Sequence, residues 1–145
     1  MLRRTDTACR LLEVHTDIRS HKWAEITANP NVTILGYCSE KQLQLRLQGA
    51  VSLHPPGSEM ARIAWNGLRP TTRKTYSGGP PGDLLAFDQS SIDAIDEGRG
   101  RQFFGVIIFR ATALDWCKLQ HANNCRALFD YDQTGLLISA HWVNP

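Results

Sequence analysis

This chain is short of the residues that usually announce a metal, a disulfide framework or a membrane span. Its four cysteines, Cys9, Cys38, Cys117 and Cys125, include no C-x-x-C pair. That spacing argues against a structural zinc or a dithiol redox motif, and reduced thiols are expected. Cys117 and Cys125 are close enough in sequence to face each other across a hairpin. The five histidines are scattered without H-x-H or H-x-x-x-H spacing, so no metal site is expected. No apolar run reaches the length of a membrane span, and no apolar stretch follows Met1-Leu2-Arg3-Arg4 to make a signal peptide. A soluble cytoplasmic protein is the expectation, with no membrane partner. Charge of one sign is scarce too: 16 Lys and Arg stand against 14 Asp and Glu, for a net charge of +2. That balance gives no support to a nucleic-acid partner.

What is present reads as β structure. Arg10–Thr16 has strand character, and Val32–Cys38 is a β-rich run that ends in the polar turn Ser39-Glu40-Lys41. Gln42–Leu53 alternates: Leu43, Leu45, Leu47, Val51 and Leu53 share one face, and Gln44, Arg46 and Gln48 the other. Gly49 falls on the apolar face, where a bend or a close backbone approach is expected. Later strands are expected at Gln102–Arg110, Ala113–Leu119, Arg126–Tyr131 and Leu136–Val143, the last after the turn Gln133-Thr134-Gly135.

Helices are short. One is predicted over residues 21–28, stopped by Asn29-Pro30, and one over Ser58–Leu68 with Met60, Ile63, Ala64 and Leu68 as its apolar stripe. Trp65 lies off that stripe, on a face with Arg62 and Arg69. It reads as a dimer contact, a ligand contact or an ordinary exposed tryptophan. Residues 77–82 are a Gly/Pro loop, and Asp88–Gly100 is polar with a short helix expected. No repeat is visible. The whole of 1–145 reads as a single domain, a mainly β barrel with two or three short helices.

The most informative stretch is Val14 to Lys22. It reads as a strand end, a turn and a helix start, with Ser20 as N-cap. Arg19, His21 and Lys22 then crowd a helix N-terminus, which carries partial positive charge and prefers anions. An external anion of phosphate size would relieve the conflict, held by free backbone N–H groups and these side chains. The competing reading is a solvated basic turn without a ligand.

The string H-T-D-x-R-S-x-K-x-x-E-I-x-x-N-P at residues 15–30, with the strand Leu43-Gln44-Leu45-Arg46-Leu47-Gln48-Gly49, resembles the pyridoxamine 5′-phosphate oxidase-like family. The resemblance runs from about Leu2 to the C-terminus and is most specific in the first fifty residues. It implies a flavin-binding split β-barrel and a homodimer with flavin mononucleotide (FMN) at the interface. It assigns the cofactor to His15, Thr16, Ser20, His21, Lys22 and Gln44, with Trp116 of Ala113-Leu114-Asp115-Trp116 as a further contact. It assigns a small-molecule substrate to Arg3, Trp65, Arg69 and Arg126.

The departures from the family are specific. His21 stands where the family commonly has arginine. Asn124-Cys125-Arg126-Ala127-Leu128-Phe129 occupies the place of Arg-x-His-x-Arg-Phe, so both family arginines are replaced and Arg126 takes the histidine's position. Trp65, Arg69 and Arg73 align with the family's Tyr, Arg and Ser, and only Arg69 is kept. Leu2-Arg3 matches the end of the family's R-x-V-L-L-K strand, so the barrel is expected to begin late, without the family's first strands. These changes argue against authentic pyridoxamine phosphate oxidation.

The expectation is an FMN-dependent oxidoreductase on an unknown small substrate, with no catalytic side chain assigned because the chemistry belongs to the cofactor. The alternative is a non-catalytic dimeric module with a degenerate flavin cleft. Related split barrels also bind haem or a deazaflavin; haem would need an axial histidine, for which His121 and His141 are candidates.

Overall fold

A computed structural model of the chain describes residues 1–84, 97–120 and 123–145. The strands are β1 (Leu2–Asp6), β2 (Leu11–Asp17), β3 (Asn31–Cys38), β4 (Leu43–His54), β5 (Phe104–Lys118), β6 (Cys125–Tyr131) and β7 (Leu137–Val143). The helices are α1 (His21–Ala28), α2 (Glu59–Asn66), α3 (Pro70–Lys74) and α4 (Glu97–Arg101). The sheet runs β1-β2-β5-β4-β3, with β6 paired to β5 and β7 to β6.

The chain divides into two compact units. One contains Met1–Arg4, Glu13–Ala28 and Ser52–Ile108; the other contains Thr5–Leu12, Asn29–Val51 and Phe109–Pro145. The first unit has an aromatic core. Phe104 is 1% exposed and meets the rings of His15, Trp65 and Tyr76 at 5.0, 5.3 and 5.1 Å between centroids. Ala61, Leu68 and Val106 complete that core. In the second unit Phe109, Ala111 and Ala127 are buried.

In the second unit β3 and β4 form the antiparallel hairpin expected from the alternating pattern, in register from Asn31↔Ala50 to Cys38↔Leu43. Its turn is closed by Gln42, at φ 51° in the left-handed region, whose side-chain amide donates to the Ser39 carbonyl at 2.8 Å. A Cβ on Gly49 would stand 2.0 Å from the Arg110 carbonyl oxygen. The glycine therefore marks the close backbone approach that its place on the apolar face suggested.

Three expectations need correction. The first concerns α2, which Ser58 caps by accepting from the Ala61 N–H at 3.2 Å. Met60 and Ile63 are exposed, at 38% and 59%, and Trp65 is buried at 5%. The helix turns inward the stripe Ala61, Ala64, Trp65, Leu68, one residue away from the expected one. The expected stripe has i, i+3, i+4, i+8 spacing and the observed one i, i+3, i+4, i+7, and both are helical. The winner buries an indole, the largest apolar area available, while two alanines let the helix lie close. The second correction is that Gln102–Arg110 and Ala113–Leu119 are one strand, β5. Ala111 and Thr112 carry no turn chemistry; Ala111 is buried, and the Thr112 hydroxyl reaches the Gln48 carbonyl at 3.4 Å. The third is that residues 2–6 form a full strand, although Leu2-Arg3-Arg4-Thr5-Asp6 has no alternation to announce it. Of the polar stretch Asp88–Gly100, only the part in α4 lies within the described residues.

Candidate functional site

The basic turn forms where it was expected, but its charges are arranged differently. Asp17, the last residue of β2 and 7% exposed, receives the Arg19 backbone N–H at 2.8 Å. The Arg19 guanidinium forms a bidentate pair with the same carboxylate, at 3.0 and 2.6 Å. That guanidinium also lies over the Phe103 ring at 3.6 Å and reaches the carbonyls of Tyr76 and Gly79. The hydrogen bond that Arg19 donates to Asp17 raises Arg19 above its ordinary pKa. Arg19 is thus answered by an internal anion, an outcome that treating it as free to face a ligand did not anticipate.

Two basic side chains stand at the start of α1. His21 and Lys22 are exposed, and the first turn contains no acidic side chain. Below them, Thr16 and Ser20 are buried, with hydroxyls 3.5 Å apart. Ser20 was expected to cap the helix; its hydroxyl instead donates back to the Asp17 carbonyl at 2.7 Å. That bond fixes the turn between β2 and α1.

His15 sits at the edge of the aromatic core. Its ring is 5% exposed, edge-on to Phe104, with Nε2 2.7 Å from the Glu13 carboxylate. Burial pushes the imidazole below its ordinary pKa, against the opposing pull of Glu13. The side chain packs into the core of this unit. Trp65 is buried in the same core, so it is not an exposed tryptophan. Arg3 is exposed, and so is Arg69, which begins α3.

The other unit gathers a second set. Asp115 of β5 takes a bidentate pair from Arg126 of β6, at 2.9 and 2.8 Å, and a further bond from Arg46 of β4 at 2.9 Å. Those hydrogen bonds, chiefly from Arg126, hold its carboxyl below the usual range. Arg126 is therefore half answered already: among the described residues two guanidiniums share one carboxylate, which leaves one positive charge over. Gln44 stands opposite Tyr37 and is half-buried. Trp116 is half-buried, opposite Ala127, with its ring edge-on to exposed Trp142 at 6.1 Å. Cys117 pairs with Arg126 and Cys125 with Lys118, so the two thiols do not face each other, and all four cysteines are free.

Asp17, Asp115 and Phe103 are the residues that sequence reasoning missed. Asp17 was readable, since the D-x-R spacing allows an aspartate at a strand end to turn back on the next arginine. Asp115 was not, because its partners lie 69 and 11 residues away.

Residues 3–55 match the family described as pyridoxamine 5′-phosphate oxidase, FMN-binding domain. Over that segment the chain is similar to the pyridoxamine 5′-phosphate oxidase-like family. The matched segment holds the basic turn and Gln44, and it covers less than half of the chain. Among solved structures, a pyridoxamine 5′-phosphate oxidase-related, FMN-binding protein from Nostoc punctiforme superposes with a TM-score of 0.79 at 22% identity. The alignment covers 99% of this chain and 78% of that one. PhzG from Burkholderia lata, solved in complex with tetrahydrophenazine-1-carboxylic acid, superposes with a TM-score of 0.76 at 15% identity, over 99% of this chain and 72% of that one. A general stress protein 26-related protein of the pyridoxinephosphate oxidase family, from Clostridium acetobutylicum, reaches a TM-score of 0.53 at 16% identity, over 92% and 75%. At these identities the likeness establishes the fold, which is mainly β and of the family's split-barrel type. No curated protein matches the chain. Among the described residues no helix is long and apolar enough to cross a membrane.

Proposed function

We propose that the chain is an FMN-binding flavoprotein that works as a homodimer and carries out redox chemistry on a small substrate. One observation carries the reading. The start of α1 presents Lys22 and His21 to solvent with no acid in its first turn, inside the segment that matches an FMN-binding family. This donor set fits a phosphate. The ammonium, the imidazole and the first backbone N–H groups all favour an anion. Thr16 and Ser20 supply hydroxyls beneath it.

When bound, flavin supplies the hydride chemistry, so the protein needs no nucleophile or base of its own. In this reading Lys22 and His21 balance the phosphate charge, while Thr16 and Ser20 fix the turn that carries them. Gln44 donates to and accepts from the polar edge of the ring, and Trp116 supplies an apolar contact. Arg3, Arg69 and the charge left over on Arg126 receive an anionic group of the substrate.

The test is an FMN titration of the purified protein, followed by visible absorption, with Lys22→Ala alongside. A charge-assisted hydrogen bond is worth about 1.5–3 kcal/mol, so the variant should bind FMN roughly ten- to a hundredfold more weakly. Riboflavin lacks the phosphate, and its affinity should be the same for both proteins. Absence of saturable FMN binding at tens of micromolar overturns the reading. It leaves the alternative, a dimeric module with a degenerate cleft. That alternative is favoured by one observation: Arg126 and Arg19 are both tied to carboxylates of their own chain. For a haem reading, His121 lies outside the described residues, and His141 is exposed on β7.

A further inference from the structure

A recess of about 280 Å3 opens within the second unit, at the small end of ligand pockets. Leu11, Leu47, Phe109 and Leu114 give it apolar walls, and Arg10 and Tyr131 also line it. None of the residues of the basic turn takes part. Arg10 is unusual in two ways. It holds φ at 51°, a left-handed conformation uncommon outside glycine, and its carbonyl accepts from the Ala111 N–H at 3.1 Å. Its guanidinium lies over the Tyr131 ring at 4.6 Å, and its Nε and Nη2 are buried with no hydrogen-bond partner among the described residues.

A buried guanidinium with two unmade bonds is costly, and native structures rarely leave such donors without an acceptor. Asp6 lines the same recess and accepts the Cys9 N–H at 2.9 Å, inside the turn between β1 and β2, without an ion pair to Arg10. The recess therefore offers an apolar bed beside a cation that lacks its acceptor.

The geometry points to a second binding site, in which this recess takes a compact apolar carboxylate whose head group pairs with Arg10. The body, an aromatic ring or a short alkyl chain, replaces water against the leucines and Phe109. The carboxylate meets the planar fork of the guanidinium, which suits it better than an alcohol or an amide does. Engagement requires the long Arg10 side chain to rotate from its place beside Tyr131 and Gly135 toward the recess.

The experiment is a calorimetric titration of the full-length protein with benzoate and hexanoate, beside benzyl alcohol and hexanol as neutral probes. The acids should bind saturably and at least tenfold more tightly than the alcohols. Arg10→Gln should weaken the acids tenfold or more and leave the alcohols unchanged. Arg10→Lys keeps a charge but loses the fork, and it should give an intermediate loss. Leu114→Trp, which fills the recess, should abolish both kinds of binding, and Lys22→Ala should change neither. Equal binding of acids and alcohols, or full acid affinity in Arg10→Gln, overturns the assignment. So does the absence of saturable acid binding at ten millimolar. A change of oligomeric state in Leu114→Trp also overturns it, because the recess is then covered by a second copy of the chain.

Discussion

Replacing Gly105 by alanine tests whether the basic turn is held from below by the sheet. Gly105 sits in β5, where a glycine ordinarily weakens a strand, so alanine at a neutral position should stabilise the fold by about 0.5–1 kcal/mol. Here the surroundings reverse that sign. A Cβ would stand 2.6 and 2.8 Å from Cζ3 and Cη2 of Trp23, and 2.7 Å from Cγ2 of Ile18. Ile18 is pinned, because its N–H donates to the Phe103 carbonyl at 2.9 Å, and Trp23 is half-buried on α1. Neither atom is the loose end of a flexible chain. Overpacking of this kind costs about 1–3 kcal/mol, which leaves a net loss of roughly 0.5–2 kcal/mol after the strand gain. For a chain of this size the loss lowers the melting temperature by roughly 1–8 °C. The displaced group is the second residue after His21, so α1 and Lys22 must move with it, and FMN affinity should fall as well. The assay is urea denaturation followed by circular dichroism, with Trp23→Leu and the double variant completing the cycle. If the indole is the obstacle, Gly105→Ala costs much less in the Trp23→Leu background. A Gly105→Ala protein as stable as the parent would refute the argument.

Phe104→Ala removes the ring shared by His15, Trp65 and Tyr76 and should cost roughly 3–5 kcal/mol in chemical denaturation; a loss under about 1 kcal/mol contradicts the aromatic core. His15 is held neutral by burial, so the unfolded chain binds its proton first. Its contribution is full above the ordinary value of 6.5 and is lost as the pH falls below it. Denaturation midpoints measured between about pH 8 and pH 5 should therefore fall more steeply for the parent than for His15→Gln. Asp17→Asn leaves the Arg19 guanidinium without its carboxylate, so the turn should lose stability at neutral pH. The freed charge should then make FMN binding more salt-dependent in a titration across ionic strength. An unchanged salt slope would mean that Arg19 stays away from the anion.

Much of this protein was legible without its structure, for reasons of periodicity and local chemistry. The alternation of Gln42–Leu53 announced β4, and Gly49 announced a bend or a close backbone approach, because a two-residue period and a missing Cβ are local facts; that the neighbour is β5 was not legible. The helix at 21–28 was bounded by the polar turn before it and by Asn29-Pro30 after it. The basic turn, Lys22 and the family resemblance were all carried by residues adjacent in sequence. Tertiary packing alone decided which of two helically spaced stripes faces the core, and it chose the one that buries Trp65. It alone decided that Arg19 and Arg126 are answered by Asp17 and Asp115, and that His15 turns into an aromatic cluster. Periodicity says that a helix has an inner face, but only the space left by neighbouring side chains says which face wins. Charge in a sequence says that a cation exists, but only three-dimensional proximity says which anion has already claimed it.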